Sequence, residues 1–160
     1  MHGWFTTRRM AVAGLIASIY AALSLLLAPL TFGTVQFRVA EAMTLLPILF
    51  PEAIPGLFVG CFLTNLFSPV GLPDIVFGSL ATLIAAYMTF KLRRNTWLAC
   101  VPPIAVNALV VGMLLHVEYG TPFILNMLSV GAGQAGAVLV LGSALIYTVK
   151  RSAGDLRMKN

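Results

Sequence analysis

AEAMTLLPILFPEAIPGLFVGCFLTNLF, running from Ala40 to Phe67, is the stretch on which the fold turns. It holds two apolar blocks, Ala40–Phe50 and Ala53–Phe67, joined at Pro51-Glu52. Each is shorter than the roughly 20 residues a helix needs to cross about 30 Å of hydrocarbon. Four other blocks are long enough: Ala11–Ala28, Ile75–Phe90, Trp97–Leu115 and Phe123–Val149. Two separate crossings by the short blocks give six spans; the alternative is a re-entrant hairpin. The reading adopted is six, an all-α integral membrane bundle.

The basic residues set its orientation. Arg8, Arg9, Lys91, Arg93, Arg94, Lys150, Arg151, Arg157 and Lys159 fall on one side of the six-span order, and Arg38 stands alone on the other. Basic residues resist translocation and mark the cytoplasmic side, so both termini are expected inside. Hydrophobic residues make up 59% of the 160-residue chain and charged residues 9%, against roughly 25% charged in a soluble domain. One transmembrane domain, residues 1–160, is expected. The net charge of +5 reads as positive-inside bias rather than as a nucleic-acid surface. Met1–Ala28 has basic residues before an apolar stretch, as a signal peptide does. It lacks a small-x-small cleavage site and reads as the first span, retained.

No enzyme motif is present. There is no GxxxxGK[ST], no metal-spaced His/Cys/carboxylate cluster, and no Ser or Cys with an evident base partner. Gly131-Ala132-Gly133-Gln134-Ala135-Gly136 fits GxGxxG literally, but a dinucleotide site needs a preceding strand, and these glycines lie inside an apolar helix. Cys61 and Cys100 read as packing residues. Neither a metal nor a cofactor is expected.

Two other patterns carry more. On the first span Ala13, Ala17 and Ala21 recur every fourth residue, beside a second row of Gly14, Ser18 and Ala22. Small residues at this spacing let helices approach closely in lipid, either within the chain or against another protein. Polar residues crowd the outer end: Gln36, Arg38, Glu41, Asp74, His116, Glu118 and Tyr119, with Asn65, Asn107, Asn126 and Gln134 inside spans. Such groups are costly in an apolar bundle unless paired or facing a wet cavity. Local pairing would put Arg38 on Glu41 and make Asp74 a helix cap; the crowding as a whole points to a polar pocket open to the outside.

Several segments resemble the QueT family. They are Ala13-Gly14-Leu15-Ile16-Ala17-Ser18-Ile19-Tyr20, Val35-Gln36-Phe37-Arg38-Val39-Ala40-Glu41-Ala42, Leu45-Leu46-Pro47, Ile54-Pro55-Gly56-Leu57-Phe58-Val59-Gly60-Cys61 and Asp74-Ile75-Val76-Phe77-Gly78-Ser79-Leu80-Ala81-Thr82. The resemblance implies the substrate-binding S component of an energy-coupling factor (ECF) transporter, in the plasma membrane of a prokaryote. Such a subunit is a six-helix bundle, capped by the loop after the first span, that captures a queuosine precursor from outside. It has no ATPase of its own; a transmembrane coupling subunit and two cytosolic ATPases supply the power. Ala13 and Ala17, with Ala21 on the same face, would dock on the coupling subunit.

The implied ligand is a 7-deazaguanine base. Its ring N–H and exocyclic amine are parallel donors that one carboxylate can accept together, as in arginine–carboxylate pairs, and its flat face calls for an aromatic wall. Glu118 or Glu41 is expected at the base edge, with Asp74 a further acid. Asn107, Asn126 and Gln134 are candidate amides, Phe37, Tyr119 and Phe123 candidate walls, and Arg38 either a partner for the ring carbonyl or a support for Glu41. The rival function is a self-sufficient channel or carrier formed by homo-oligomerisation.

Overall fold

Length sorts the helices into two groups. The computed structural model describes residues 6–32 and 37–158, with side chains through residue 152, and every regular element among them is helical. Helix α1 spans Thr7–Leu26 and is followed by a single turn, α2, at Ala28–Thr31. A 3-10 helix at Val39–Ile48 and α3 at Ala53–Asn65 come next. A π turn at Asp74–Gly78 runs into α4, Ser79–Lys91, and α5 covers Thr96–Tyr119. The last rod is α6, Phe123–Ala135, a π turn at Gly136–Gly142, and α7, Ser143–Met158.

Four of these stretches, Thr7–Leu26, Asp74–Lys91, Thr96–Tyr119 and Phe123–Ser152, are long and apolar enough to cross a bilayer. The chain is a multi-pass membrane protein. Val39–Ile48 and Ala53–Asn65 are not long enough; at about 2.0 and 1.5 Å per residue each covers roughly 20 Å. Four spans, rather than six, meet the length criterion.

The 3-10 helix is buried from Ala40 to Ile48. A helix apolar all round belongs at the centre of a bundle, and Pro47 within it has no N–H to offer an α-helical ladder. It lies along the π turn Gly136–Gly142. A Cβ on Gly142 would stand 3.0 Å from the Ala42 carbonyl oxygen, and one on Gly136 would stand 3.0 Å from the Phe37 ring. These two contacts give the segments the same direction and leave little room for a side chain at either glycine.

Helices α1 and α3 also run parallel. A Cβ on Gly56 would lie 2.6 Å from the Ala13 oxygen, and one on Gly60 would lie 2.9 Å from the Ala17 oxygen. Glycines four apart on α3 thus receive the backbone of alanines four apart on α1, the close approach that small-xxx-small rows permit. The parallel register brings the starts of both helices together, where Arg9 bridges Glu52 at 3.0 Å. The Pro51-Glu52 turn therefore sits at the end of the bundle where α1 begins.

This packing turns the Ala13, Ala17 and Ala21 row toward α3. Ala17 is buried and Ala13 and Ala21 are half-buried, because the glycines of α3 draw that row inward. The neighbouring row Gly14, Ser18 and Ala22 is exposed, and a Cβ on Gly14 would meet nothing within 4 Å. Ala17→Leu is therefore expected to overpack the α1–α3 contact, at a cost of about 1–3 kcal/mol. Thermal unfolding in detergent should show a lowered midpoint for Ala17→Leu and a smaller change for Ser18→Leu. Equal midpoints would mean that the two helices do not pack this way.

Candidate functional site

Four elements converge on one carboxylate. Glu41 lies in the first turn of the 3-10 helix and is 1% exposed. The Tyr20 hydroxyl, from α1, donates to its Oε1 at 2.5 Å. The Asn107 amide, from α5, donates to Oε2 at 3.2 Å, and Gln134, from the last turn of α6, is buried close by. Tyr20 and Asn107 are buried as well. A charge in this setting is tolerable only where hydrogen bonds replace its hydration, and the neutral donors Tyr20 and Asn107 do so. Tyr20 lies 13 residues into α1, roughly 20 Å along it at 1.5 Å per residue. The carboxylate thus sits in the half of the bundle away from the Arg9–Glu52 bridge.

A second polar group adjoins it, one 3-10 turn earlier. The Arg38 guanidinium, buried, contacts Asp74 Oδ2 at 3.3 Å and lies 5.5 Å from the centre of the Phe32 ring. Ser68 Oγ donates to the same Asp74 oxygen at 2.6 Å, and Asn65 Nδ2 donates to the Asp74 backbone carbonyl at 2.9 Å. A Cβ on Gly78 would collide with Asp74 Oδ1 and stand 2.8 Å from Asn65 Nδ2, so glycine there makes room for the pair. Arg38 is thus committed to Asp74 rather than to Glu41. Asp74 does not act as a helix cap; Pro73 occupies that position, and the carboxylate turns toward Arg38 and Ser68.

Both groups keep unused hydrogen-bonding capacity. Arg38 Nε, Asp74 Oδ1, Asn65 Oδ1 and Gln134 Oε1 are buried without a hydrogen-bond partner. Each such group costs about 1–3 kcal/mol when desolvated, an expense more easily understood where a polar ligand or water enters. The half-buried Phe37 packs its ring on Gly136, close along the chain to both Arg38 and Gln134.

Of the residues expected at a site, the structure brings Glu41, Asn107 and Gln134 together, with Arg38, Asp74 and Phe37 beside them. It leaves Glu118 and Tyr119 exposed in the last turn of α5, away from this cluster. That end is a structural turn: Gly120 closes α5 with φ 64°, His116 Nδ1 lies 2.6 Å from the Thr121 carbonyl, and Asn126 donates to Thr121 Oγ1 at 2.8 Å. Gln36 and Val35 of the polar loop lie outside the described residues. Sequence reasoning missed Tyr20 and Ser68. A tyrosine in mid-span is itself a signal, because its hydroxyl must find a partner when buried.

Comparison with known proteins gives one match: the family model described as QueT transporter covers residues 10–151. No curated protein and no solved structure matches the chain.

Proposed function

The chain belongs to the QueT transporter family, and we propose that it is the substrate-binding S component of an ECF importer, capturing a 7-deazaguanine queuosine precursor from outside a prokaryotic cell. The buried Glu41 carboxylate, ringed by Tyr20, Asn107 and Gln134, carries this reading. A carboxylate accepts the paired N–H and NH2 donors of a guanine-like edge, and the amides of Asn107 and Gln134 can meet polar atoms around the rest of the ring. Arg38 supplies a donor, Nε, for a carbonyl oxygen, and Phe37 a flat wall. Asp74 holds Arg38 in position. In this reading the 3-10 helix and α3 complete a six-span bundle with both termini inside.

Charge supports that orientation. The side assigned to the cytoplasm carries nine of the ten Lys and Arg, and the opposite side carries Arg38. Such asymmetry is what the positive-inside bias produces. ATP hydrolysis falls to partner subunits: a coupling subunit in the membrane and two cytosolic ATPases. The Gly14–Ser18–Ala22 row of α1, with Leu15 and Ile19 beside it, is exposed and open to a membrane partner.

Uptake of a labelled deazaguanine by cells expressing the chain tests the reading. Transport is expected with the coupling subunit and active ATPases, and loss of transport when the ATPases are inactivated. Uptake by the chain alone would favour a self-sufficient carrier and overturn the S-component assignment.

A further inference from the structure

Tyr20 makes the shortest hydrogen bond on the Glu41 carboxylate, 2.5 Å against 3.2 Å from Asn107. Bonds of 2.5–2.7 Å are characteristic of hydroxyls donating to ionised oxygens and are roughly twice as strong as neutral ones. The ring has little freedom to leave. Tyr20 is fully buried, and a Cβ on Gly60 of α3 would lie 2.9 Å from both the Tyr20 Cβ and the Ala17 carbonyl oxygen. The close contact between α1 and α3 at Gly60 therefore holds the residue that holds Glu41.

Acceptor capacity gives this bond a consequence. A carboxylate has about four lone-pair positions; Tyr20 takes one on Oε1 and Asn107 one on Oε2. A ligand presenting two parallel donors needs one on each oxygen, so the remaining two suffice as long as the carboxylate keeps its plane. The 3.2 Å bond from Asn107 is the longer of the two, whereas the phenol is both closer and sterically fixed.

Resting on the reading that Glu41 receives the ligand, we infer that Tyr20 is the positioning residue of the site. Its hydroxyl fixes the plane of the Glu41 carboxylate and leaves the lone pairs that a two-donor edge can use. Selectivity for a two-donor edge then depends on a residue of α1 that need not touch the ligand.

A double-mutant cycle tests this, with unsubstituted 7-deazaguanine as the probe and calorimetry on the full-length protein in detergent. The variants are Tyr20→Phe, Glu41→Gln and the two combined. Tyr20→Phe keeps the ring and its packing and removes only the hydroxyl. It is expected to weaken binding about tenfold, in keeping with loss of a hydrogen bond to a charged group. The combined variant is expected to bind within about twofold of Glu41→Gln alone, since residues that act through one another are non-additive. A hydroxyl that acts on the ligand independently of Glu41 would instead multiply the two losses, and that result overturns the inference. So does wild-type affinity in Tyr20→Phe. Wild-type affinity in Glu41→Gln would remove the Glu41 reading itself and the Tyr20 inference with it, an outcome separate from the first two.

Discussion

Glu41→Gln is expected to lower affinity for 7-deazaguanine by far more than tenfold while leaving the ligand-free protein as stable as the parent or more so. The two effects have different origins. The wild-type carboxylate offers only acceptors, whereas glutamine would turn an NH2 toward one of the ligand's donors. Leaving one half of a buried charged contact unmade costs roughly 2–5 kcal/mol, and each 1.4 kcal/mol is about tenfold. In the ligand-free protein the same change removes a buried charge whose hydrogen-bond partners are neutral, so no opposite charge is left uncompensated. Calorimetry and thermal unfolding on one preparation separate the two. A variant that binds normally would take Glu41 out of the site; one that neither binds nor folds would mark it as structural. Glu118→Gln provides the contrast. Glu118 is exposed at the end of α5, and its loss is expected to change affinity by less than about twofold, within the small effects usual for surface substitutions.

Much of this arrangement was legible in the sequence. Four apolar blocks of sufficient length announced the spans, and the basic residues gathered at their ends gave an orientation. Glu41, Asn107 and Gln134 stood out because polar groups in apolar segments demand partners. Glu118 attracted the same attention for a weaker reason: it lies at the margin of a span, where water can solvate a carboxylate and no partner is required.

The rest depends on rotation of one helix against another, which hydropathy cannot report in a membrane. Lipid and protein interior are both apolar, so Ala13, Ala17 and Ala21 suit an inward face as well as an outward one. Gly56 and Gly60 on α3 settle the matter by admitting the α1 backbone. Pairings across long separations are equally silent. Arg38 had an acid three residues away in Glu41, yet meets Asp74, 36 residues on. The backbone of the 3-10 helix and the Gly78 opening decide between them, and neither has a sequence period to betray it.

Breaking the Arg38–Asp74 pair from its two sides should give unequal results. Both side chains are almost wholly buried, at 5% and 3% exposure, and removing one partner of a buried pair costs about 3–5 kcal/mol because the other is left uncompensated. Asp74→Asn strands a cation, but Glu41 remains one helical turn away to attract it. Arg38→Met strands Asp74 and also takes from Glu41 the cation one turn away. The expected order of unfolding midpoints in detergent is therefore parent, then Asp74→Asn, then Arg38→Met. Asp74→Asn combined with Arg38→Met should recover part of the loss, since no unpaired guanidinium or Asp74 carboxylate remains. Because Asp74 Oδ1 and Arg38 Nε have no hydrogen-bond partner, a ligand that reaches them would raise the parent's midpoint more than that of either single variant. Arg38→Met melting with the parent would show that the ion pair contributes nothing, and the geometry around Gly78 would then need another explanation.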